Sequence, residues 1–172
     1  FLRFIDRMHS RGDDLGIAKS IGEADDVVTL ITIHKSKGLE FPVVFVAGMD
    51  RSFNNADFRS RYMFDETFGI AVNTVNTELN YMTKSLPILY ISDKKRAKMK
   101  AEEMRILYVA MTRAKERLIL VGSIKNWEKT KEDWNRFESI GNRDVLPSYD
   151  RAKANSYLSW VGPAVARHND FL

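Results

Sequence analysis

Two short apolar runs separated by a charged loop constrain the fold of this chain more than any other feature. Residues 27–33 and 43–46 are rich in β-branched side chains, which is typical of strands buried on both faces. Between them lies the 34–40 loop, His34-Lys35-Ser36-Lys37-Gly38-Leu39-Glu40. In open α/β sheets, a polar loop between buried strands is a common place for a binding or catalytic site.

The segments after this loop predict an α/β fold. A helix is expected from an N-cap at Ser92-Asp93 to about residue 115, followed by a buried strand at 117–121. Its second half is predicted to be mostly buried, through a stripe at helical spacing made of Met104, Leu107, Tyr108 and Met111. The order strand, loop, strand, helix, strand predicts a parallel or mixed sheet covered by helices.

The outer segments are less regular. Helical spacing predicts a helix at 1–9, and a loop or a broken helix is expected at 12–26. Residues 49–91 follow neither period, which indicates an insertion of loops and short strands. In the tail, Trp127 and Trp134 have helical spacing, and their rings are expected to pack rather than to stack on bases. A last helix at 150–168 should break or kink at Gly162-Pro163.

Composition excludes several classes of protein. Of the 172 residues, 44% are hydrophobic, enough for a core, and the chain has no cysteine for a disulfide, a thiolate metal site or a thiol nucleophile. His9, His34 and His168 do not have a metal-ligand spacing, so no metal site is expected. There is no signal peptide or membrane-length apolar run, which indicates a cytoplasmic protein. The first residue is not methionine, and we expect a piece of something longer.

The 34–40 loop has the groups that phosphate and sugar require. Lys35 and Lys37 are cations, and Gly38 allows a ligand to approach the backbone closely. The Glu40 carboxylate could accept a hydrogen bond from a ribose hydroxyl. These residues suit a nucleotide or a nucleic-acid backbone. An exposed loop with ordinary surface charges explains them equally well.

Arg113 and a basic run are the other charged candidates. Arg113 follows the helical stripe directly, and an arginine held there and pointing towards the carboxyl ends of the strands could contact a γ-phosphate. The alternative is that Arg113 caps the helix C-terminus, where cations are favoured. A basic run opens the predicted helix, and a solvated face explains it better than an anionic partner does; its members are Lys94, Lys95, Arg96, Lys98 and Lys100.

Two segments together resemble a known family. VVTLITIHKSKGLEFPVVFVAGMD resembles motif V of the UvrD/PcrA/RecB-like superfamily 1 helicases, whose pattern is T-x-H-x-[AS]-K-G-L-E. EEMRILYVAMTRAKERLILVG resembles motif VI, E-E-x-R-x-x-Y-V-[AG]-x-T-R-A. The motifs occur in the expected order and span about 45 residues. The insertion and the tail are similar to those of the helicase–nuclease branch of this superfamily.

The resemblance implies a RecA-like second motor domain, usually called 2A. Its core would be about 1–48 and 92–125, its insertion about 49–91 and its helical tail about 126–172. The chain has no GxxxxGK[ST] phosphate loop and no apolar strand ending in an acidic pair for Mg²⁺. ATP and Mg²⁺ would therefore bind only in a complete motor that includes an N-terminal motor domain, and the isolated segment should be inactive.

The resemblance also implies individual roles. Arg113 would be catalytic and contact the γ-phosphate, and Gly38 and Glu40 would lie near the nucleotide. Thr32, His34 and Lys37 would contact single-stranded DNA. The implied protein is a 3′-to-5′ DNA helicase that unwinds duplex ends in double-strand-break repair with a second subunit. The alternatives are a stand-alone repair helicase and a non-catalytic module that binds DNA or another protein.

Overall fold

The computed structural model describes residues 27–137 and 145–167. Residues 1–31 and 32–172 form separate compact units, and in the first unit only 27–31 are described. The predicted helix at 1–9 and loop at 12–26 lie outside the described residues. Among the described helices, none has the length and apolar character needed to cross a bilayer.

The elements are short except for one helix. In chain order they are β1 (Phe41–Ala47), a 3-10 helix (Ala56–Arg59), β2 (Tyr62–Asp65), β3 (Gly69–Val72), β4 (Thr74–Asn76), β5 (Tyr81–Thr83), α1 (Leu86–Met111), β6 (Ala114–Val121), α2 (Trp127–Asn135), α3 (Ser148–Lys153) and α4 (Leu158–Val165).

The predicted strand at 27–33 is wrong. Residues 27–32 adopt no regular secondary structure, and no strand in the described ranges pairs with them. The side chains of Val28 and Leu30 are fully exposed. A strand requires a neighbour for its backbone N–H and C=O groups, so an apolar run alone does not produce one.

β1 and β6 form the parallel pair around which the second unit is built. The register sets Phe41 opposite Ala114 and Ala47 opposite Val121. One face of the pair packs on a core that includes Val46, Leu107 and Trp160. The predicted α/β organisation with a parallel sheet and helices is confirmed, although the described sheet has two strands.

Helix α1 begins earlier than predicted. Ser85 is its N-cap and accepts a hydrogen bond from the Ile88 N–H at 3.5 Å, and Pro87 lies in the first turn. Ser92 is buried inside the helix, so the predicted N-cap at Ser92-Asp93 is wrong. The basic run therefore starts in the third turn and does not oppose the dipole at the helix N-terminus.

Only part of the predicted apolar stripe on α1 is buried. Leu107 and Ala110 are buried, but Met104, Tyr108 and Met111 are 40%, 69% and 41% exposed. At about 100° per residue, these three lie on an adjacent stripe that turns away from the sheet. The prediction of a mostly buried second half is therefore wrong.

Residues 49–85 consist of loops and short strands, as predicted. β2 pairs with β3, and β4 pairs with β5, both in antiparallel hairpins. The β2–β3 hairpin buries Met63 and Ala71 against Ile88 and Ile91 of α1, forming a second core with Phe58.

The tail breaks at a different position from the one predicted. α3 ends at Lys153 and α4 begins at Leu158, whereas Pro163 lies inside α4. Ser156 Oγ accepts from the Ser159 N–H at 3.2 Å and so caps the first turn of the new helix. Pro163 costs this eight-residue helix one backbone hydrogen bond without ending it. The prediction of a single last helix is therefore wrong, and the helix does not break at Gly162-Pro163.

The tail closes the carboxyl end of the β1–β6 pair. The Met49 N–H donates to Val121 O at 3.1 Å, and Met49 O accepts from the Leu158 N–H at 2.7 Å. Met49 is 1% exposed.

The two tryptophans of the tail pack against each other. The rings of Trp127 and Trp134 meet edge to face with their centres 6.1 Å apart, and a Cβ on Gly162 would overlap the Trp134 indole. The expectation that these tryptophans pack is confirmed.

Candidate functional site

The 34–40 loop and Arg113 lie side by side because each precedes one strand of a parallel pair. Glu40 is followed by β1 and Arg113 by β6, and the Phe41 N–H donates to Arg113 O at 2.9 Å. Both therefore lie at the amino ends of these strands. The prediction that Arg113 points towards the carboxyl ends is wrong for this pair, because it assumed a strand ahead of the loop.

The loop is folded into tight turns. The Ser36 N–H donates to Thr32 O at 3.1 Å, and the Leu39 N–H donates to Ser36 O at 3.0 Å. The Ser36 hydroxyl donates to Ile33 O at 2.7 Å and is buried, while Ile33 packs against the core. Gly38 ends the turns with φ +85°, a left-handed conformation that favours glycine. The loop is therefore anchored on one side and open on the other.

The predicted site residues of this segment are exposed, but they are not equally available. His34 and Lys37 have no side-chain hydrogen-bond partner in the described part of the chain. Thr32 Oγ1 lies 3.4 Å from the Lys35 N–H, and a Glu40 carboxylate oxygen lies 3.5 Å from Lys115 Nζ. The side chains of His34 and Lys37 are thus available to a ligand, whereas those of Thr32 and Glu40 already make contacts within the chain.

The Arg113 side chain joins the end of α1 to the loop. Its Nε donates to Val109 O at 2.9 Å, its Nη1 to Leu39 O at 2.9 Å, and its Nη2 to Thr112 Oγ1 at 3.1 Å. The helix capping that the sequence allowed as an alternative is therefore present. The contact with Leu39 adds a direct connection between the two predicted site segments.

Three further groups in this site were not predicted. The Leu39 carbonyl and Lys115 meet Arg113 and Glu40 through the parallel register of β1 and β6, which the sequence does not specify. Thr112 could have been found from the sequence, because a residue with a hydroxyl group directly precedes the candidate arginine at the end of a helix.

The charges of the site suit a phosphate ligand. Arg113, Lys37 and Lys115 are cations, and Gly38 leaves open space around its Cα. A metal site is not evident: the described residues contain no group of three or more histidines and carboxylates that could hold an ion.

The basic run on α1 is largely explained by contacts within the chain. Lys94 Nζ lies 4.6 Å from the centre of the Phe68 ring, and the Arg96 guanidinium lies 4.5 Å from that of Phe58. Lys100 donates to Ala152 O. These cations hold the hairpin and the tail against α1, so the run does not by itself indicate an anionic partner.

Comparison with known sequences identifies the family. The profile of the UvrD-like helicase C-terminal domain matches residues 15–124, which include the 34–40 loop and Arg113. The chain belongs to this family. The UvrD-like helicase C-terminal domain has a RecA-like α/β fold, in agreement with the parallel pair and the helix packed on it.

Three similar proteins come from bacteria. The chain is 64% identical over 171 residues to AddA, a subunit of the ATP-dependent helicase/nuclease, from Lysinibacillus sphaericus strain C3-41. It is 48% identical over 170 residues to the protein of that name in Bacillus licheniformis, and 47% over 171 residues to the one in Listeria innocua. Each match covers 99% of this chain and 14% of the relative.

Proposed function

We propose that this chain is the C-terminal motor half of an ATP-dependent DNA helicase or translocase of the AddA type. The observation that carries the proposal is the hydrogen bond from Arg113 to Leu39 O, which joins a candidate nucleotide contact to the loop segment that also contains the candidate DNA contacts. The family match and the names of the relatives, which are ATP-dependent helicase/nuclease subunits, support it.

In this proposal, Arg113 stabilises the charge that develops on the γ-phosphate, while Gly38 and Glu40 lie beside the nucleotide. Two N–H groups of the guanidinium have no acceptor among the described residues, one on Nη1 and one on Nη2, which suits phosphate oxygens. ATP and Mg²⁺ would also need the phosphate loop and acidic residue of an N-terminal motor domain in the same polypeptide. A nucleotide between two such domains would draw them together.

The DNA side of the site is formed by Thr32, His34 and Lys37. His34 and Lys37 are exposed and open, as contacts with a phosphate backbone require. A movement of Arg113 towards a nucleotide would pull on Leu39 and change the position of these residues. This coupling would convert ATP hydrolysis into movement along single-stranded DNA.

The proposal extends to wider assignments, which the names of the relatives and the two motifs support. We place the full-length protein in the bacterial cytoplasm, translocating 3′ to 5′ from duplex ends during double-strand-break repair, with an AddB-like second subunit. Residues 49–91 would be an insertion in motor domain 2A, and 126–172 its helical tail. Residues 86–91 of that insertion form the first turns of α1.

The decisive experiment replaces Arg113 by alanine in the full-length protein. We expect DNA-stimulated ATP hydrolysis to fall by roughly 10³-fold or more, because an arginine on the transferred phosphoryl group contributes about 10³–10⁵ in kcat. Single-stranded DNA binding should change by less than about tenfold, since the open DNA-facing groups remain.

Arg117→Ala is the matched control, because Arg117 is an exposed arginine on β6, four residues after Arg113. It should retain hydrolysis. If Arg113→Ala retained DNA-stimulated hydrolysis, the catalytic role of Arg113 would be wrong. If the unmodified full-length protein bound DNA without hydrolysing ATP, the chain would instead be a non-catalytic binding module.

A further inference from the structure

Thr112 lies at the junction between α1 and Arg113 and makes contacts in both directions. Its N–H donates to Tyr108 O at 3.0 Å, and its hydroxyl lies 3.0 Å from Tyr108 O and 3.1 Å from Val109 O. The same oxygen accepts a hydrogen bond from Arg113 Nη2 at 3.1 Å. Because a hydroxyl has one hydrogen, donating it to a helix carbonyl leaves a lone pair for the guanidinium.

The Arg113 guanidinium has three acceptors of two kinds. Val109 O and Leu39 O are main-chain carbonyls, whose positions follow the helix end and the loop. Among the described residues, Thr112 Oγ1 is the one side-chain atom that accepts a hydrogen bond from the guanidinium. A planar group held by three separate acceptors can neither shift nor tilt freely, so its remaining N–H groups have a fixed direction.

We propose that Thr112 is a positioning residue for Arg113: it orients the guanidinium so that the free N–H on each terminal nitrogen is available to phosphate oxygens. This inference rests on the proposed function, because it concerns the arginine assigned to the γ-phosphate. Orientation matters here, since a misplacement of about 1 Å at a reacting group can reduce the rate by roughly 100-fold.

Thr112 could instead serve only to satisfy the carbonyls at the end of α1. Valine has nearly the same shape as threonine but lacks the hydroxyl, whereas serine keeps the hydroxyl and loses a methyl group. A purely structural role predicts that Thr112→Val lowers the Tm and leaves ATP kinetics unchanged. A positioning role predicts a change in kcat that the serine variant does not show.

The test is steady-state ATP hydrolysis by the full-length protein with saturating single-stranded DNA. For Thr112→Val we expect kcat to fall about tenfold, with KM for ATP within about twofold of the original value, because orientation affects the reacting state more than substrate binding. Thr112→Ser should stay within about twofold of the original kcat, because the hydroxyl remains. Thr112→Ala is a second hydroxyl-free variant for use if the valine variant folds poorly.

A double-mutant cycle with Arg113→Lys tests whether the effect passes through the arginine. Lysine has one terminal nitrogen and cannot reproduce a planar group held at three separate nitrogens, so Thr112→Val should have no further effect in that background. The inference is overturned if Thr112→Val keeps kcat within about twofold of the original, or if serine fails to restore kcat. If Arg113→Ala itself retains hydrolysis, the proposed function of Arg113 is wrong. That result comes from a different variant and is therefore distinguishable from the two Thr112 results that would overturn the inference.

Discussion

The two ends of the β1–β6 pair differ in what surrounds them. At the amino end, Glu40, Arg113 and Lys115 form a charged surface, with Glu40 and Lys115 exposed, connected by hydrogen bonds and one ion pair. At the carboxyl end, Met49 is 1% exposed and is held between the end of β6 and the start of α4. The same two strands therefore end in a ligand-compatible surface on one side and in packed side chains on the other.

The candidate site owes its rigidity to the packed parts of the fold rather than to its own polar groups. Apolar burial at the carboxyl end and under α1 fixes the register of the two strands, and the register then sets Arg113 beside Leu39. The polar groups at the amino end need not stabilise the fold themselves. We expect substitutions at the carboxyl end to change stability and substitutions at the amino end to change activity.

The largest effect on stability is expected from Met49→Ala at the carboxyl end. Removing most of a fully buried side chain should lower the local free energy of opening by about 2–5 kcal/mol, through lost burial and a residual cavity. Hydrogen exchange of the β1 and β6 amides in the full-length protein measures this change. Met82→Ala, at a methionine that is 46% exposed, is the matched control and should have little effect. Equal protection in both variants would contradict the role assigned to Met49.

The sequence predicted the parts of this region that depend on local pattern. The apolar runs at 43–46 and 117–121 lie within β1 and β6. The start of α1 was missed although Ser85 and Pro87 are a good start signal, because the residues just after Pro87 were assigned to the insertion. Patterns of this kind report secondary structure well, and boundaries less well.

The parts that depend on partners could not be predicted. Val28 and Leu30 have the pattern of a buried strand and are fully exposed. A strand forms only where a second strand pairs with its backbone, and an apolar segment does not reveal whether such a partner is present. Tyr108 likewise has helical apolar spacing but lies outside the face that the sheet covers. The contacts of Arg113 with Leu39 and of Glu40 with Lys115 arise from the strand register, whereas the sequence motifs indicated only that Arg113 and the loop belong to one site.

A smaller effect is expected from Gly38→Ala at the amino end. Alanine at φ +85° costs about 1–2 kcal/mol of backbone strain, and apart from residue 38 and its two chain neighbours no residue has an atom within 4 Å of the added Cβ. We expect the turns at 33–38 to loosen and DNA-stimulated ATP hydrolysis to fall, because Leu39 would no longer be held for Arg113. ATP hydrolysis by the full-length protein over a DNA titration measures this loss.

Gly69 provides a matched control for the backbone cost. Its φ is +73°, and an added Cβ would again meet no atom within 4 Å, but this glycine lies at the turn between β2 and β3. Gly69→Ala should have a similar local cost and leave hydrolysis unchanged. A comparable loss of hydrolysis in both glycine variants would show that general destabilisation, and not the 34–40 loop, is responsible.

The smallest effect is expected from the acid dependence of Asp50 at the carboxyl end. The Ser123 N–H donates to its carboxylate at 3.0 Å, and this hydrogen bond holds the pKa of Asp50 below its ordinary value of 3.8. Because the folded-state pKa is lowered, the stabilisation is present above pH 3.8 and is lost as the pH falls through the folded-state pKa.

Asp50→Asn tests this dependence, because asparagine keeps an acceptor for the Ser123 N–H but cannot titrate. The ratio of amide protection between the original protein and this variant, measured from about pH 6 to about pH 3, should be constant at first and then fall. Glu128→Gln controls for the loss of one negative charge, and a ratio that rises on acidification would contradict the assigned direction of the shift.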